Sequence, residues 1–324
     1  MSFQSVYMTQ VYSGFEPSQA FDVVYGGRFE HRLLSSRETM LQHQRLILGD
    51  LRLETGCYDF PVIAQGCMPE DGICIGFMAE GGDQTKVNTT LIGADDIQVY
   101  PAGLELLYHA SGPSRWVNFT VPEAVLQVGA TRRLGITLTL PRQAAQSLHL
   151  DAGRRRALTC LVDDALNVAK RAQSSGGMDP DLAAVIHESL LNGYLDALGN
   201  ATPAQAAARS VVEQRHHHLI SACERLVLSG EDADVALAEI ARRSGYSLRS
   251  LELIFRRSVG MTPGRWFMTA RLNGALRDLL AHGQTRSVSE IATKWGFRHM
   301  SRFAQYFRQA FGESPRDTLR RARS

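Results

Sequence analysis

Arg302 and Gln305 stand three residues apart, as do Arg249 and Glu252. A guanidinium can pair with guanine O6 and N7, and a carboxamide with adenine N6 and N7. A carboxylate accepts from the cytosine amine, and an apolar side chain such as Leu253 can touch a thymine methyl. Residues three apart on a helix share a face, so each set would project from one side of one helix, with Ser301 joining the second. Nearby are Ser247, Arg256, Arg257, Arg265 and Arg308, residue types that hold phosphate without reading sequence. The chemistry these side chains suit is that of a DNA duplex. Arg249, Glu252, Leu253, Ser301, Arg302 and Gln305 would meet base edges, and the others the backbone.

The elements that must position them are written twice. Glu239-Ile240-Ala241 recurs as Glu290-Ile291-Ala292, and Gly245-Tyr246 as Gly296-Phe297, 51 residues on. Phe255, Gly260 and Pro263 recur as Phe307, Gly312 and Pro315, 52 residues on. An ordered repeat means two copies of one supersecondary unit. The unit is a short helix, a glycine turn, a second helix and a glycine stop, the grammar of a helix-turn-helix. The first copy spans 236–258, with Leu237, Ile240, Ala241, Leu251, Ile254 and Phe255 inward and Ser247 capping its second helix. The second spans 287–309. It opens with the capping box Ser287-Val288-Ser289-Glu290 and buries Ile291, Ala292, Trp295, Phe303, Tyr306 and Phe307. Thr262-Pro263 starts a helix between the copies that runs to about Ala281. At ~1.5 Å per residue it measures roughly 28 Å, close to the ~34 Å between major grooves on one face of B-DNA.

Charge divides the 324-residue chain in the same place. From Ala206 to Ser324 there are 20 Lys+Arg against 11 Asp+Glu, a net +9, and 19 of the 20 cations are Arg. The preceding 205 residues carry −7. A basic C-terminal part beside an acidic N-terminal part implies a polyanionic partner for the former alone. Five cysteines without CxxC spacing read as reduced, mostly buried thiols of a cytoplasmic protein. Neither a signal peptide nor a membrane span is expected.

From about Met40 to Val121, short apolar runs alternate with Gly/Pro/Asp turns, which predicts an antiparallel sandwich or barrel. Helical periodicity follows over Leu158–Ala172 and Leu182–Leu198, the latter a candidate dimer surface. The chain is then expected to break at Gly199-Asn200-Ala201-Thr202-Pro203, giving domains 1–203 and 204–324, and to resume as helix over Val212–Leu228 until Ser229-Gly230. The fold class is α+β, with a β-rich N-terminal domain and an all-α C-terminal one. Phe77, Tyr100, Tyr108 and Trp116 are candidates for an effector pocket, with core packing as the competing explanation for each. His216-His217-His218 reads as an exposed stripe, because consecutive helical positions point about 100° apart and share one ion poorly. No GxSxG, Walker or GxGxxG motif is present, so neither an enzyme, a metal nor a cofactor is expected.

The run Ile291-Ala292-x-x-x-Gly296-Phe297-x-x-x-Ser301-x-Phe303-x-x-x-Phe307-x-x-x-Phe311-Gly312-x-x-Pro315 resembles the signature of the AraC/XylS family of bacterial transcription regulators. The resemblance covers about Asp234 to Arg321, and Gly245-Tyr246-Ser247 with Phe255, Gly260 and Pro263 matches its first motif. Trp295-Gly296-Phe297-Arg298-His299 is similar to the ethanolamine-operon regulators within it. The resemblance implies adjacent-groove binding to promoter DNA, contact with RNA polymerase, and a cupin-like N-terminal domain that senses a small molecule or dimerises. Ala236 departs from the pattern where the second copy has Ser287, which leaves Asp234 as the candidate cap for the first scaffold helix. Three readings stay open for the whole chain: an effector-responsive activator, a constitutive regulator whose N-terminal half only dimerises, and a catalytic cupin tethered to DNA.

Overall fold

Strands begin earlier than the stretch the sequence marks. The computed structural model describes residues 5–34, 39–204, 207–229, 233–282 and 285–323. The strands are β1 (Ser5–Ser13), β2 (Arg28–Leu33), β3 (Met40–Leu48), β4 (Leu51–Tyr58), β5 (Val62–Cys67), β6 (Ile73–Glu80), β7 (Thr85–Val87), β8 (Thr90–Leu91), β9 (Asp96–Tyr100), β10 (Glu105–Ala110) and β11 (Ser114–Val121). Helix α1 (Glu123–Leu134), β12 (Gln146–His149), α2 (Ala152–Ser174), α3 (Pro180–Asn200) and β13 (Thr202–Pro203) complete the N-terminal part. β1 escapes sequence detection because it is an edge. Met8 and Val11 lie half exposed on it, so the alternation that marks a half-buried strand is missing.

The strands form two antiparallel sheets, as expected of a cupin-like domain. The larger has the order β1-β3-β4-β11-β6-β9-β12-β13, the smaller β2-β5-β10-β7-β8. One apolar core fills the space between the sheets, with Phe29, Tyr58, Tyr108 and Trp116 in it. A second lies under α1, α2 and α3, where Phe119 stacks on Tyr194 at 4.0 Å between ring centroids. Gly199 does not stop α3. A Cβ there would lie 2.9 Å from Leu134 of α1, so the glycine serves close helix packing, and β13 pairs with β12 just beyond it. The thiols also differ from expectation: Cys74 and Cys223 are buried, Cys57 is partly so, and Cys67 and Cys160 are exposed.

The C-terminal part is helical: α4 (Ala207–Leu228), α5 (Ala233–Ser244), α6 (Leu248–Val259), α7 (Pro263–His282), α8 (Val288–Lys294), α9 (Met300–Phe311) and α10 (Pro315–Arg323). Gly230 and the side chain of Asp234 fall outside the described residues. The smaller sheet carries this part on its outer face. Ile63 of β5 and Leu107 of β10 share one core with Ile220, Cys223, Phe255 and Trp266. A strand alternates its side chains between faces, so β2, β5 and β10 each turn one set inward and the next toward the C-terminal helices.

Candidate nucleic-acid interface

Each copy of the repeat folds as two helices joined at glycine. Gly245 and Gly296 adopt φ of 75° and 79°, a left-handed backbone that side chains with a Cβ resist. Ser247 caps α6 by accepting from Ser250 N at 3.1 Å, so its hydroxyl is engaged at the end that would approach a phosphate. Ser287 and Glu290 form the full capping box at α8. Leu251, Ile254 and Phe255 are buried in α6, and Phe303, Phe307 and Phe311 in α9. Tyr306 departs from expectation. It is 38% exposed, because Phe311, one turn beyond Phe307, takes the inward place and meets Phe15 of the N-terminal part edge-on.

Arg249, Glu252, Leu253, Arg256 and Arg257 are exposed on α6, and Ser301, Arg302, Gln305 and Arg308 on α9. Arg265 is exposed at the start of α7. It borders an open groove that also includes Tyr306 and Gln309 of α9. A second groove, between α7 and the turn of the second motif, is lined by Arg271, Lys294, Arg298 and Arg302 among others. Sequence reasoning assigned no role to Arg271 or Arg298. α7 spans 20 residues, roughly 30 Å at ~1.5 Å each, and packs against α6, α8 and α9. Gly274 leaves α7 bare where the Trp295 ring lies, since a Cβ would sit 2.2 Å from it. Trp295 Nε1 donates to Asp278 Oδ2 at 2.9 Å, which ties the second turn to the connecting helix.

The first motif is gripped by the N-terminal domain. Arg32 on the outer face of β2 donates to both oxygens of Glu224 on α4, at 2.6 and 2.8 Å. Trp266 Nε1 on α7 donates to the same carboxylate at 2.6 Å. Burial alone would push the Glu224 pKa up, but the Arg32 charge and the donated hydrogen bonds prevail and hold it below the usual range. Asn273 of α7 pairs with the backbone of Leu33, accepting at 2.7 Å and donating at 3.0 Å. Lys86 Nζ donates to the carbonyls of Arg257 and Ser258 at the end of α6. None of these partners was legible in sequence, because Arg32 and Glu224 lie 192 residues apart.

Phe77, Tyr100, Tyr108 and Trp116 all line one cavity between the sheets. His31, Tyr58 and Asn118, which sequence reasoning missed, line it too. Among the described residues no group of three His, Cys, Asp or Glu side chains could hold a metal ion, and no helix is long and apolar enough to cross a membrane. His217 corrects the expected exposed stripe: it is buried on α4, while His218 is exposed.

Burial pulls His31, His109 and His217 each down to about 4 from 6.5. They are neutral in the folded chain, whereas the unfolded chain takes up protons below pH 6.5. Their contribution to stability is therefore complete above about pH 6.5 and is lost progressively as the pH falls toward 4. Each costs up to about 1.4 kcal/mol per pH unit within that window. Urea midpoints should be flat from pH 7.5 to 6.5 and fall from 6.5 to 5. A midpoint unchanged down to pH 5 would contradict the burial of these imidazoles.

Twin turns of this geometry, each presenting an exposed polar and basic face, define a DNA-binding helix-turn-helix domain of the kind carried by transcription regulators. Comparison with known proteins gives the same class. The family described as Helix-turn-helix domain matches residues 240–321. The probable thc operon regulatory protein of Rhodococcus erythropolis is 44% identical over 87 residues, 26% of this chain and 26% of that protein. The transcriptional activator NphR of Rhodococcus sp is 24% identical over 308 residues, 93% of this chain and 81% of that protein. In the first case the match spans about a quarter of the relative's length. The crystal structure of the AraC-like transcriptional activator CuxR superposes with a TM-score of 0.39 at 13% identity, covering 81% of this chain and 95% of that one. The C-terminal part is a helix-turn-helix domain.

Proposed function

We propose that the chain is a sequence-specific transcriptional activator, not an enzyme, whose N-terminal domain senses a small molecule in the cytoplasm. The observation that carries this reading is the pair of helix-turn-helix motifs at the two ends of α7. In it Arg249, Glu252, Leu253, Ser301, Arg302 and Gln305 read base edges, while Ser247, Arg256, Arg257, Arg265 and Arg308 hold phosphates. The sensing and reading domains divide at 203/204, where β13 ends the N-terminal sheet. RNA polymerase is the proposed partner at the promoter, and a second copy of the chain a further one. The run Trp295–His299 supports a place beside the ethanolamine-operon regulators.

Sensing is favoured over dimerisation alone by the two-faced strand β2. His31 faces the cavity, and the next residue, Arg32, holds Glu224. A ligand that shifts β2 would thereby shift α4 and α7, and the differential contact is what an effector needs to bias two states.

The DNA roles are tested by binding to the cognate promoter. Arg302→Ala is expected to cost about 1–3 kcal/mol and relax preference at one base pair, whereas Arg257→Ala should weaken all sequences alike and reduce the salt slope by about 1. Unchanged affinity and unchanged preference in the first variant would count against the assignment.

A further inference from the structure

Sixteen residues line the cavity between the sheets, and none is Asp, Glu, Lys or Arg. Burial holds His31 down to about 4, so it too is uncharged at neutral pH. Burial raises the Tyr58, Tyr100 and Tyr108 hydroxyls, which stay protonated. The polar handles are few and neutral. His31 Nε2 and Tyr58 Oη are 2.8 Å apart, and Tyr108 Oη and Ser114 Oγ are 2.8 Å apart. The Asn118 carboxamide borders the cavity. The cavity holds about 50 Å³ as it stands, so a ligand must be small and must part the lining side chains as it enters.

The walls are aromatic and sulfur-bearing. Phe29, Tyr100, Tyr108 and Trp116 offer faces and edges for offset or edge-on ring contacts, and Met68 and Met78 offer adaptable thioethers. Two glycines shape the lining. A Cβ at Gly56 would lie 2.5 Å from the Trp116 ring, and one at Gly76 2.6 Å from Asn118 Oδ1.

We propose that this cavity takes an uncharged ligand built on a single aromatic ring with one hydrogen-bonding substituent, an aryl amide or aryl alcohol, and rejects the matching carboxylate. The proposal rests on the sensing reading above and adds the ligand class. A carboxylate entering the cavity would lose its hydration with no cation to replace it. A neutral amide would give its hydrogen bonds to Asn118 and the His31–Tyr58 pair, and its ring to the aromatic walls.

The test uses the full chain at pH 7.5 with benzamide, benzyl alcohol and benzoate, read by thermal shift and calorimetric titration. Benzamide or benzyl alcohol is expected to raise the melting temperature and to bind at least tenfold more tightly than benzoate. Ala64→Phe, which fills the lining, should abolish the shift, and Asn118→Leu, at a half-buried position, should weaken benzamide at least tenfold while the chain stays folded. Benzoate binding as tightly as benzamide, with loss of both in Ala64→Phe, overturns the ligand class and leaves sensing intact. No response to any of the three, nor to a wider metabolite panel, overturns both.

Discussion

Glu224→Ala is expected to destabilise the chain by about 3–5 kcal/mol, the usual cost of orphaning one member of a buried ion pair. The Arg32 side chain is 4% exposed and that of Glu224 6%. Removing the carboxylate strands a guanidinium and leaves Trp266 Nε1 without its acceptor. Arg32 retains Glu30 at 3.2 Å and Gln65 at 3.1 Å, which sets the loss at the lower end of that range. The pair Arg32→Met with Glu224→Leu should recover most of it, because a hydrophobic replacement of both partners removes two desolvation costs together. Urea unfolding of the two variants measures this. If Glu224→Ala unfolds like the parent, the contact between β2 and α4 does not hold the two domains together.

Phe307→Ala is expected to cost about 3–5 kcal/mol, as for other fully buried phenylalanines, and to silence the second motif in DNA binding while the first still contributes. Phe307 is fully buried. Its ring lies 5.6 Å from Phe303 and 4.7 Å from Phe311, both edge-on, and Phe297 from the turn joins the stack at 4.8 Å from Phe303. A void there removes the contacts that fix α9 on α7 and α8. Binding to a promoter with the second half-site scrambled separates the cases. Scrambling should matter to the parent and not to Phe307→Ala, and a variant that still discriminates the intact site would show that α9 keeps its place without this ring.

The paired motifs were legible because their signals are local. Ser287 and Glu290 cap within one turn, Gly245 and Gly296 set the turns, and Phe303 and Phe307 repeat at helical spacing. Tyr306 was misplaced because a helix of 12 residues has one inward stripe, and three phenylalanines already fill it. Phe77, Tyr100, Tyr108 and Trp116 stand out in the sequence as aromatic side chains, whereas His31 and Asn118 carry no such sign. Their place depends on which strands face each other across the sheets, and periodicity does not encode that. The same holds for Arg32, Glu224 and Asn273. Each is an ordinary polar residue in its own segment and becomes an anchor when two distant segments meet. Gly274, in the middle of α7, is a seat for Trp295.

The outer face of the smaller sheet has a practical consequence. Ile63 and Leu107 complete the apolar core of the first motif, and Lys86 supplies the cation at the end of α6. A helix-turn-helix fragment excised at residue 204 would therefore reach solution with an uncovered greasy patch and a frayed reading helix, and affinities measured on it would understate the intact chain. Chimaeras that graft this DNA-reading half onto a foreign sensor would have to bring β2, β5, β7 and β10 along, or rebuild their outward side chains on the new host.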